Sequence, residues 1–467
     1  MTATPSLSTR KFFDTLAPQR ERDKRRHRTY YRDREQWLKS LIRPDATILE
    51  LGCGTGLTLS SLLQAKKTGI DFSPEMIRLA RERDPQTRYL VDDILQLEHR
   101  ETHDYVLLLD TINFLRDVQR GLQEIHDKVC HDRTRLVVTY YNFLWQPLFL
   151  FGEWLGWKTK FPEQNWLGRN DIEHLLRITG FEVVQRGERV LCPLGIPLLA
   201  SLCNRFLVSL PFLRAFALVK YVIARPAPRG RRTDCTVTVL SAVRNERGNI
   251  RRIVEAMPVM GSGTELLFIE GHSTDGTWEE LQSVTDSYRG PLTVRALKQA
   301  GSGKGSALHD GIMASAGEIL LVYDGDFTVH PNELTKLYDI LSSGQAEFVN
   351  ASRLVYPLQE GAMRLLNLFG NKIFSMLFTW LFSQRLVDVL SPVKGFFRWD
   401  YPSVVTRMDP FGDFDFFLGA ASRQLKMSEV PVHYLERSYG TTKIRRFRHG
   451  WSLLRMCFYG TRRLKWV

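Results

Sequence analysis

The sequence predicts an α/β protein of two successive units, each a mainly parallel sheet with its chemistry at strand ends. Three observations lead there. Residues 46–110 alternate short apolar runs with a glycine-rich turn and helix-compatible stretches, and successive runs end in acids. A second series starts at Thr236 and closes on Ile319-Leu-Leu-Val-Tyr-Asp-Gly-Asp326. Between them, Ala224-Arg-Pro-Ala-Pro-Arg-Gly-Arg-Arg-Thr233 has the composition of an interdomain linker. A chain of 467 residues also exceeds one ordinary core.

With 43% hydrophobic and 25% charged residues, the chain is globular rather than disordered. A formal charge of +13 calls for an anionic partner: nucleic acid, a phosphorylated substrate or an acidic membrane face. The six cysteines are scattered and none forms a Cys-x-x-Cys pair, so neither a zinc site nor a disulfide framework is expected. That suits a reducing cytoplasm. The amino terminus lacks the apolar region of a signal peptide. No apolar run reaches the ~18–20 residues that cross a bilayer.

Residues 1–45 are rich in Arg and Lys, with Tyr30, Tyr31 and Trp37 interspersed. They read either as a solvated helix leading into a domain or as a basic, aromatic helix on an anionic membrane. Ala46-Thr-Ile-Leu-Glu-Leu51 is a short strand meeting the turn Gly52-Cys-Gly-Thr-Gly56, and Leu57–Ala65 is helix-compatible. Glycines here let backbone N–H groups approach a ligand closely. The next strands end in Asp71, in Asp92-Asp93 and in Asp110. An acid where Asp71 stands can take both hydroxyls of a ribose.

Glu50-Leu-Gly-Cys-Gly-Thr-Gly56, Ile70-Asp-Phe-Ser-Pro-Glu-Met-Ile77, Asp92-Asp-Ile94 and Asp104-Tyr-Val-Leu-Leu-Leu-Asp110 resemble the class I S-adenosylmethionine-dependent methyltransferases, over about residues 45–190. The resemblance implies a Rossmann-like domain binding S-adenosylmethionine through Glu50, Gly52, Gly54, Gly56 and Asp71, with Asp93 or Asp92 facing the adenine. It names no methyl acceptor. Trp145, Trp154, Trp157 and Trp166 fall where such enzymes vary their acceptor region, as core or as a binding platform.

Residues 191–223 are apolar, broken by Pro193, Pro197 and Pro211, with Arg205, Arg214 and Lys220 at near-helical spacing. They form either a domain-closing helical pair or an interfacial element with snorkelling bases. The second unit opens with the strand Thr236–Ser241, then Ala242-Val-Arg-Asn-Glu246 and a helical pattern through Met257. The strand Glu265–Ile269 ends in Glu270-Gly-His-Ser-Thr-Asp-Gly-Thr277. The glycines and Lys304 of Lys298-Gln-Ala-Gly-Ser-Gly-Lys304 suit a phosphate. Asp324 and Asp326, two residues apart at a strand's carboxyl end, point to one side and suit Mg²⁺ or Mn²⁺ carrying a diphosphate.

These motifs, in this order, resemble the family 2 inverting glycosyltransferases of GT-A fold, closest to polyprenyl-phosphate sugar transferases of the dolichol-phosphate mannose synthase type, over about residues 235–445. The resemblance implies that Asn245, Glu246 and Glu270 face a nucleotide-sugar donor with Lys304. Asp324 and Asp326 hold metal and diphosphate. Where the family reads Asp-Asp-Gly-Ser this chain reads Glu270-Gly-His-Ser273, losing the second acid. Arg353, Arg364 and Arg437 fall where the family binds its lipid-phosphate acceptor. The late acid of the family is Asp413 or Asp415, and Arg437-Ser-Tyr-Gly-Thr-Thr-Lys443 matches an element that closes over phosphates. The implied catalytic set is therefore Asp324, Asp326, Asp413, Asp415, Arg437 and Lys443.

Leu365–Phe382 is too polar to span and reads either as an interfacial helix or as a buried one. The tail Arg445–Val467 alternates bases with Trp451, Phe458, Tyr459 and Trp466, a membrane-surface pattern with no nucleic-acid-binding module to support the other reading. The expected layout is a basic extension (1–45), a methyltransferase domain (46–190), an apolar segment with linker (191–234), a glycosyltransferase domain (235–445) and a basic-aromatic tail (446–467). The expected protein is a bifunctional transferase held peripherally at the cytoplasmic face of an anionic membrane. The alternative is sugar transfer to a hydroxyl or soluble acceptor, with Asp413 or Asp415 as base and the first half a non-catalytic binding module.

Overall fold

The computed structural model describes residues 7–466 apart from 65, 157–160, 162–163, 197, 229, 358–364, 402–412 and 437–445. The chain divides into two units, Met1–Ala227 with Arg462–Val467, and Pro228–Thr461. Each is α/β and carries a seven-stranded mixed sheet.

In the first unit the strands are β1 (Ile48–Leu51), β2 (Lys67–Asp71), β3 (Arg88–Val91), β4 (Tyr105–Leu109), β5 (Arg135–Tyr141), β6 (Phe181–Arg189) and β7 (Val219–Pro226). Their order is β3-β2-β1-β4-β5-β7-β6, parallel through β5, with β7 antiparallel to both neighbours. Helices cover both faces, which is why β4 is buried at every position. Alternate side chains go to opposite cores. Leu49, Leu51, Val106 and Leu108 enter one. Ile48, Leu107 and Leu109 enter the other, with Trp37, Leu38 and Leu41.

The helix Arg28–Leu41 is therefore core rather than a solvated or membrane-lying extension. Its buried Tyr30, Trp37, Leu38 and Leu41 share one face. Burying each such side chain stabilises by roughly 1.5–3 kcal/mol. Asp33, at the edge of that face one turn from Trp37, accepts Arg189 Nε and Nη2 at 2.8 and 3.0 Å.

The linker reading needs correction at its start. Residues 224–226 finish β7, inserted between β5 and β6. Composition drew attention to Pro and Arg, but Val222, Ile223 and Ala224 are fully buried in the sheet. Arg225 pairs with Glu182 across the ladder, and Pro226 sits at the strand's last position, where a missing N–H costs little. The helix after the glycine turn is also shorter than expected, Leu57–Ser61.

The second unit contains β8 (Thr236–Val243), β9 (Gly263–Glu270), β10 (Thr293–Lys298), β11 (Ile319–Asp324), β12 (Phe348–Ser352), β13 (Lys394–Phe397) and β14 (Met427–Pro431). The order is β10-β9-β8-β11-β13-β12-β14. The first four are parallel and β13 runs antiparallel between β11 and β12. In both sheets the strand order reverses beside the first strand, between β1 and β4 and between β8 and β11. Ligand crevices open at such switch points, outside the carboxyl ends.

Helix Leu365–Phe382 turns Asn371, Ser375, Phe378 and Phe382 inward and leaves Ile373 and Met376 exposed. It is a half-buried helix. Among the described residues no helix is long and apolar enough to cross a membrane, and the cysteines are free thiols.

Candidate functional site

At the first switch point, β1 runs into a turn whose glycines have φ of +73°, +53° and +69° at Gly52, Gly54 and Gly56. A Cβ on Gly52 would stand 2.4 Å from Thr111 Oγ1, so no other residue fits. A Cβ on Gly54 would meet nothing closer than Met76 Sδ at 4.0 Å, so the space above it is open. The Gly54 N–H donates to Asp71 Oδ2 at 2.8 Å and the Ser73 N–H to Oδ1 at 3.0 Å. Asp71 is buried, which pushes its pKa up against the pull of those two N–H donors. Each of its oxygens keeps a second lone pair for a ligand hydroxyl.

Asp92 and Asp93 have different jobs. Asp92 accepts the backbone N–H groups of Asp93, Glu98 and His99 at 2.8, 2.9 and 3.1 Å and so holds its own loop together. Asp93 Oδ1 caps Leu95 N–H at 3.0 Å, while its Oδ2 is buried with no hydrogen-bond partner among the described residues. Burial raises the Asp93 pKa. An orphaned buried acceptor costs about 1–3 kcal/mol unless a ligand donor meets it, as an exocyclic adenine amine would.

The cavity that Gly52, Gly54 and Asp71 line also takes in Phe13, Tyr31, Arg34, Glu50, Asp110 and Phe114. Sequence reading missed the amino-terminal contribution. The helix Leu7–Arg26 lays Phe13 edge-on against Phe72 and Phe114 at 5.4 and 5.9 Å. Tyr30 donates to Asp110 Oδ2, Arg34 Nη1 reaches the same oxygen at 3.1 Å, and Thr139 Oγ1 donates to Oδ1 at 2.8 Å. Burial, and then the Asp110 charge, hold Tyr30 as a neutral phenol. The signal in the sequence was the spacing Tyr30–Arg34, one helical turn, which places both on one face.

At the second switch point, Asn245 takes a left-handed φ of +55°. Its N–H donates to Ser273 Oγ and its Oδ1 accepts Thr274 N–H, both at 2.9 Å. These bonds tie the β8 and β9 loops together. Glu246 is buried and accepts Asn249 Nδ2 at 2.9 Å. Glu270, also buried, accepts the Ser273 N–H. Asp324 is bridged by Lys304 Nζ at 2.7 Å, from the first residue of helix Lys304–Ala314. Asp326 is buried, with Oδ1 accepting Thr328 Oγ1 at 2.7 Å and its N–H at 3.2 Å.

Among the described residues no group of three or more His, Cys, Asp and Glu side chains could hold a metal ion. Asp324 and Asp326 supply two carboxylates. That fits Mg²⁺ or Mn²⁺ in the manner of a substrate-assisted site, where one or two carboxylates and the ligand's phosphates share the ion. Lys304 already places a cation against Asp324, so the crevice favours positive charge at that point.

Arg353 does not stand open to an acceptor phosphate. Its Nε and Nη2 form a fork on Asp388 at 2.8 and 2.9 Å, and its own N–H adds a third bond at 2.9 Å. Asn371 completes the set at 2.6 Å, and Tyr434 lies 5.1 Å beneath the guanidinium. Asp388 is fully buried, and burial without these donors would raise its pKa; Arg353 holds it below the usual range. A buried carboxylate needs such compensation, and the arginine is committed to it. Asp415 is buried. Asp413 begins the helix Asp413–Ser422, with its side chain outside the described residues. Arg364, Arg437 and Lys443 also lie outside them, as does Trp157.

The chain thus carries two candidate sites, each at the switch point of its own α/β sheet. Residues 48–131 match the family model of a methyltransferase domain, and residues 238–401 match that of glycosyl transferase family 2. Glycosyltransferase AglJ of Haloferax volcanii is 29% identical over 45% of this chain and 66% of its own length. The dolichol-phosphate mannosyltransferase of Pyrococcus furiosus is 25% identical over 45% of this chain and 59% of its own. Malonyl-[acyl-carrier protein] O-methyltransferase of Bacillus anthracis is 33% identical over 25% of this chain and 44% of its own. The chain thus spans two thirds or less of the curated relatives it matches.

Proposed function

We propose that the chain is a bifunctional transferase. Its second unit moves a sugar from a nucleotide-sugar to a polyprenyl phosphate, and its first unit transfers a methyl group from S-adenosylmethionine. The observation that carries the reading is the pair of strand-end crevices, each furnished with the acids its ligand needs. In the first, Asp71 would take the ribose and Asp93 the adenine amine, while the open space over Gly54 suits the methionine side. S-adenosylmethionine supplies an already activated methyl group, so positioning is the main task left to the protein.

In the second, Glu246, Glu270 and Asn245 would face the nucleoside, and Asp324 and Asp326 would hold Mg²⁺ or Mn²⁺ against the diphosphate. The metal supplies charge neutralisation for the departing nucleoside diphosphate. An acceptor phosphate is ionised at neutral pH and needs no general base. Its oxygen forms the bond to the anomeric carbon as the bond to the leaving diphosphate breaks. Arg364 and Arg437 are the proposed acceptor-phosphate contacts, with Lys443 in the element that closes over phosphates; Arg353 is left out because Asp388 holds it. Similarity to a dolichol-phosphate mannosyltransferase supports a lipid phosphate over a sugar hydroxyl.

The test supplies labelled nucleotide-sugars and a short polyprenyl phosphate to the purified full chain, with Mn²⁺ or with excess EDTA. Label in the organic phase that EDTA abolishes is the expected result. Label that appears only on soluble sugars would overturn the lipid acceptor.

A further inference from the structure

The first unit exposes apolar side chains in two segments that meet. On helix Gln146–Trp154, Leu148, Leu150, Phe151 and Trp154 are between 54% and 78% exposed. In the segment 194–216, Leu198 and Phe212 reach 87% and 76%. Asn142 Nδ2 donates to the carbonyls of Ala215 and Ala217 at 2.9 Å each, and Trp145 Nε1 donates to that of Phe216 at 2.9 Å. These bonds join the segments into one face. The face borders the methyltransferase cavity, because Tyr31, a wall of that cavity, packs in one cluster with Tyr141, Trp145 and Phe149.

The charge on this face is mostly positive. Residues 190–223 contain no acid, and Glu153 is the one carboxylate in 143–155. The bases stand beside the apolar groups, with Lys220 Nζ 5.7 Å from the Phe143 ring and the Arg205 guanidinium 6.0 Å from that of Phe206. Arg205 and Arg214 are exposed. Apolar and aromatic side chains edged by bases are what an anionic bilayer surface accepts, with the bases reaching the headgroups. Soluble proteins rarely leave a large contiguous apolar face open without a partner for it.

We propose that this face seats on an anionic lipid surface, and that the methyl acceptor is therefore a lipid-borne molecule presented to the cavity from the bilayer. The inference rests on the methyltransferase reading given above. In the transfer, a lone pair of the acceptor forms the bond to the methyl carbon. The electron pair of the broken S–CH₃ bond stays on sulfur, giving S-adenosylhomocysteine, and the acceptor's proton passes to water.

The test compares the full chain with Trp154→Ser/Phe212→Ser in flotation on phosphatidylcholine vesicles containing phosphatidylglycerol. Both side chains are more than three-quarters exposed, so the variant keeps its core. The expected result is vesicle binding weakened about tenfold or more, with calorimetric S-adenosylmethionine affinity unchanged. Label from methyl-labelled S-adenosylmethionine given to membranes should enter the organic extract. Three results would each overturn the inference: flotation equal to wild type, label confined to the aqueous phase, or a lipid-free dimer that the variant converts to monomer. Absence of S-adenosylmethionine binding in the wild type would overturn the methyltransferase reading itself, whatever the flotation shows.

Discussion

The two crevices hold their acids by different means. In the first, Asp71, Asp92 and Asp93 are gripped by backbone N–H groups of their own loops. In the second, Asp324 faces an ammonium and Asp326 a threonine, and elsewhere in that unit the buried Asp388 meets a complete guanidinium fork. Backbone donors pre-form a site for an organic cofactor, since they stay in place when the ligand leaves. The site proposed for a metal and a diphosphate would instead trade cations, and Lys304 is a cation on a flexible stem. The contrast yields four tests.

The largest effect is expected at Asp388. Asp388→Asn leaves Arg353 buried with its charge uncompensated and should cost the second unit about 3–5 kcal/mol. The melting transition of that unit reports it. If Arg353 instead served the acceptor phosphate, stability would hold and KM for the lipid would rise.

Asp326→Ala should lower sugar transfer by about a thousandfold, since a catalytic metal is worth several kcal/mol of charge stabilisation. S-adenosylmethionine binding should be unchanged, as it depends on the other crevice. Retention of full transfer activity would remove the metal assignment.

Acid should separate the units. His103 is buried in the first unit and held down to about 4 by burial and then by the neighbouring His99, which burial lowers as well. Folding therefore favours neutral imidazole. The stabilisation is complete above the unfolded value of about 6.5 and is lost as pH falls toward 4, because the unfolded chain takes up the proton first. The first unit should lose about 3 kcal/mol across that window. Urea unfolding at pH about 7.5 and about 5 should register about 2 kcal/mol of this, and His103→Phe should flatten the dependence. An unchanged first transition at the lower pH would mean His103 is protonated in the folded state.

The smallest effect is expected at Gly54. Gly54→Ala puts a methyl group into open space but keeps a left-handed φ that costs about 1–2 kcal/mol. S-adenosylmethionine affinity should fall roughly tenfold, with sugar transfer untouched. Equal affinity would show that the turn is not part of the cofactor site.

Much of this was readable one residue at a time. The strands at 48–51, 67–71, 88–91, 236–243 and 319–324 follow from local runs of apolar and β-branched residues. The strand-end acids follow from where those runs stop. Gly52 and Gly54 are marked because few other residues accept their backbone angles. Local pattern suffices there, since strand, turn and helix N-terminus are short-range events and the switch-point crevice comes with the alternation itself.

Other features depend on residues far apart in the chain. Arg353 looks like a free arginine until β12 brings it to Asp388, 35 residues on. Tyr30 and Arg34 belong to a basic helix until that helix docks and Asp110 meets them, 80 and 76 positions away. Residues 224–226 have a linker's composition, and they become strand because β6 pairs antiparallel with all three and β5 with Ala224. The choice of Asp93 over Asp92 belongs here too. Both sit at one strand end, and only the folded loop engages both oxygens of Asp92 and leaves one of Asp93 buried with no hydrogen-bond partner among the described residues. Composition and period record what a segment prefers alone. Desolvation and pairing between distant segments settle which charges are held inside and which remain for a ligand.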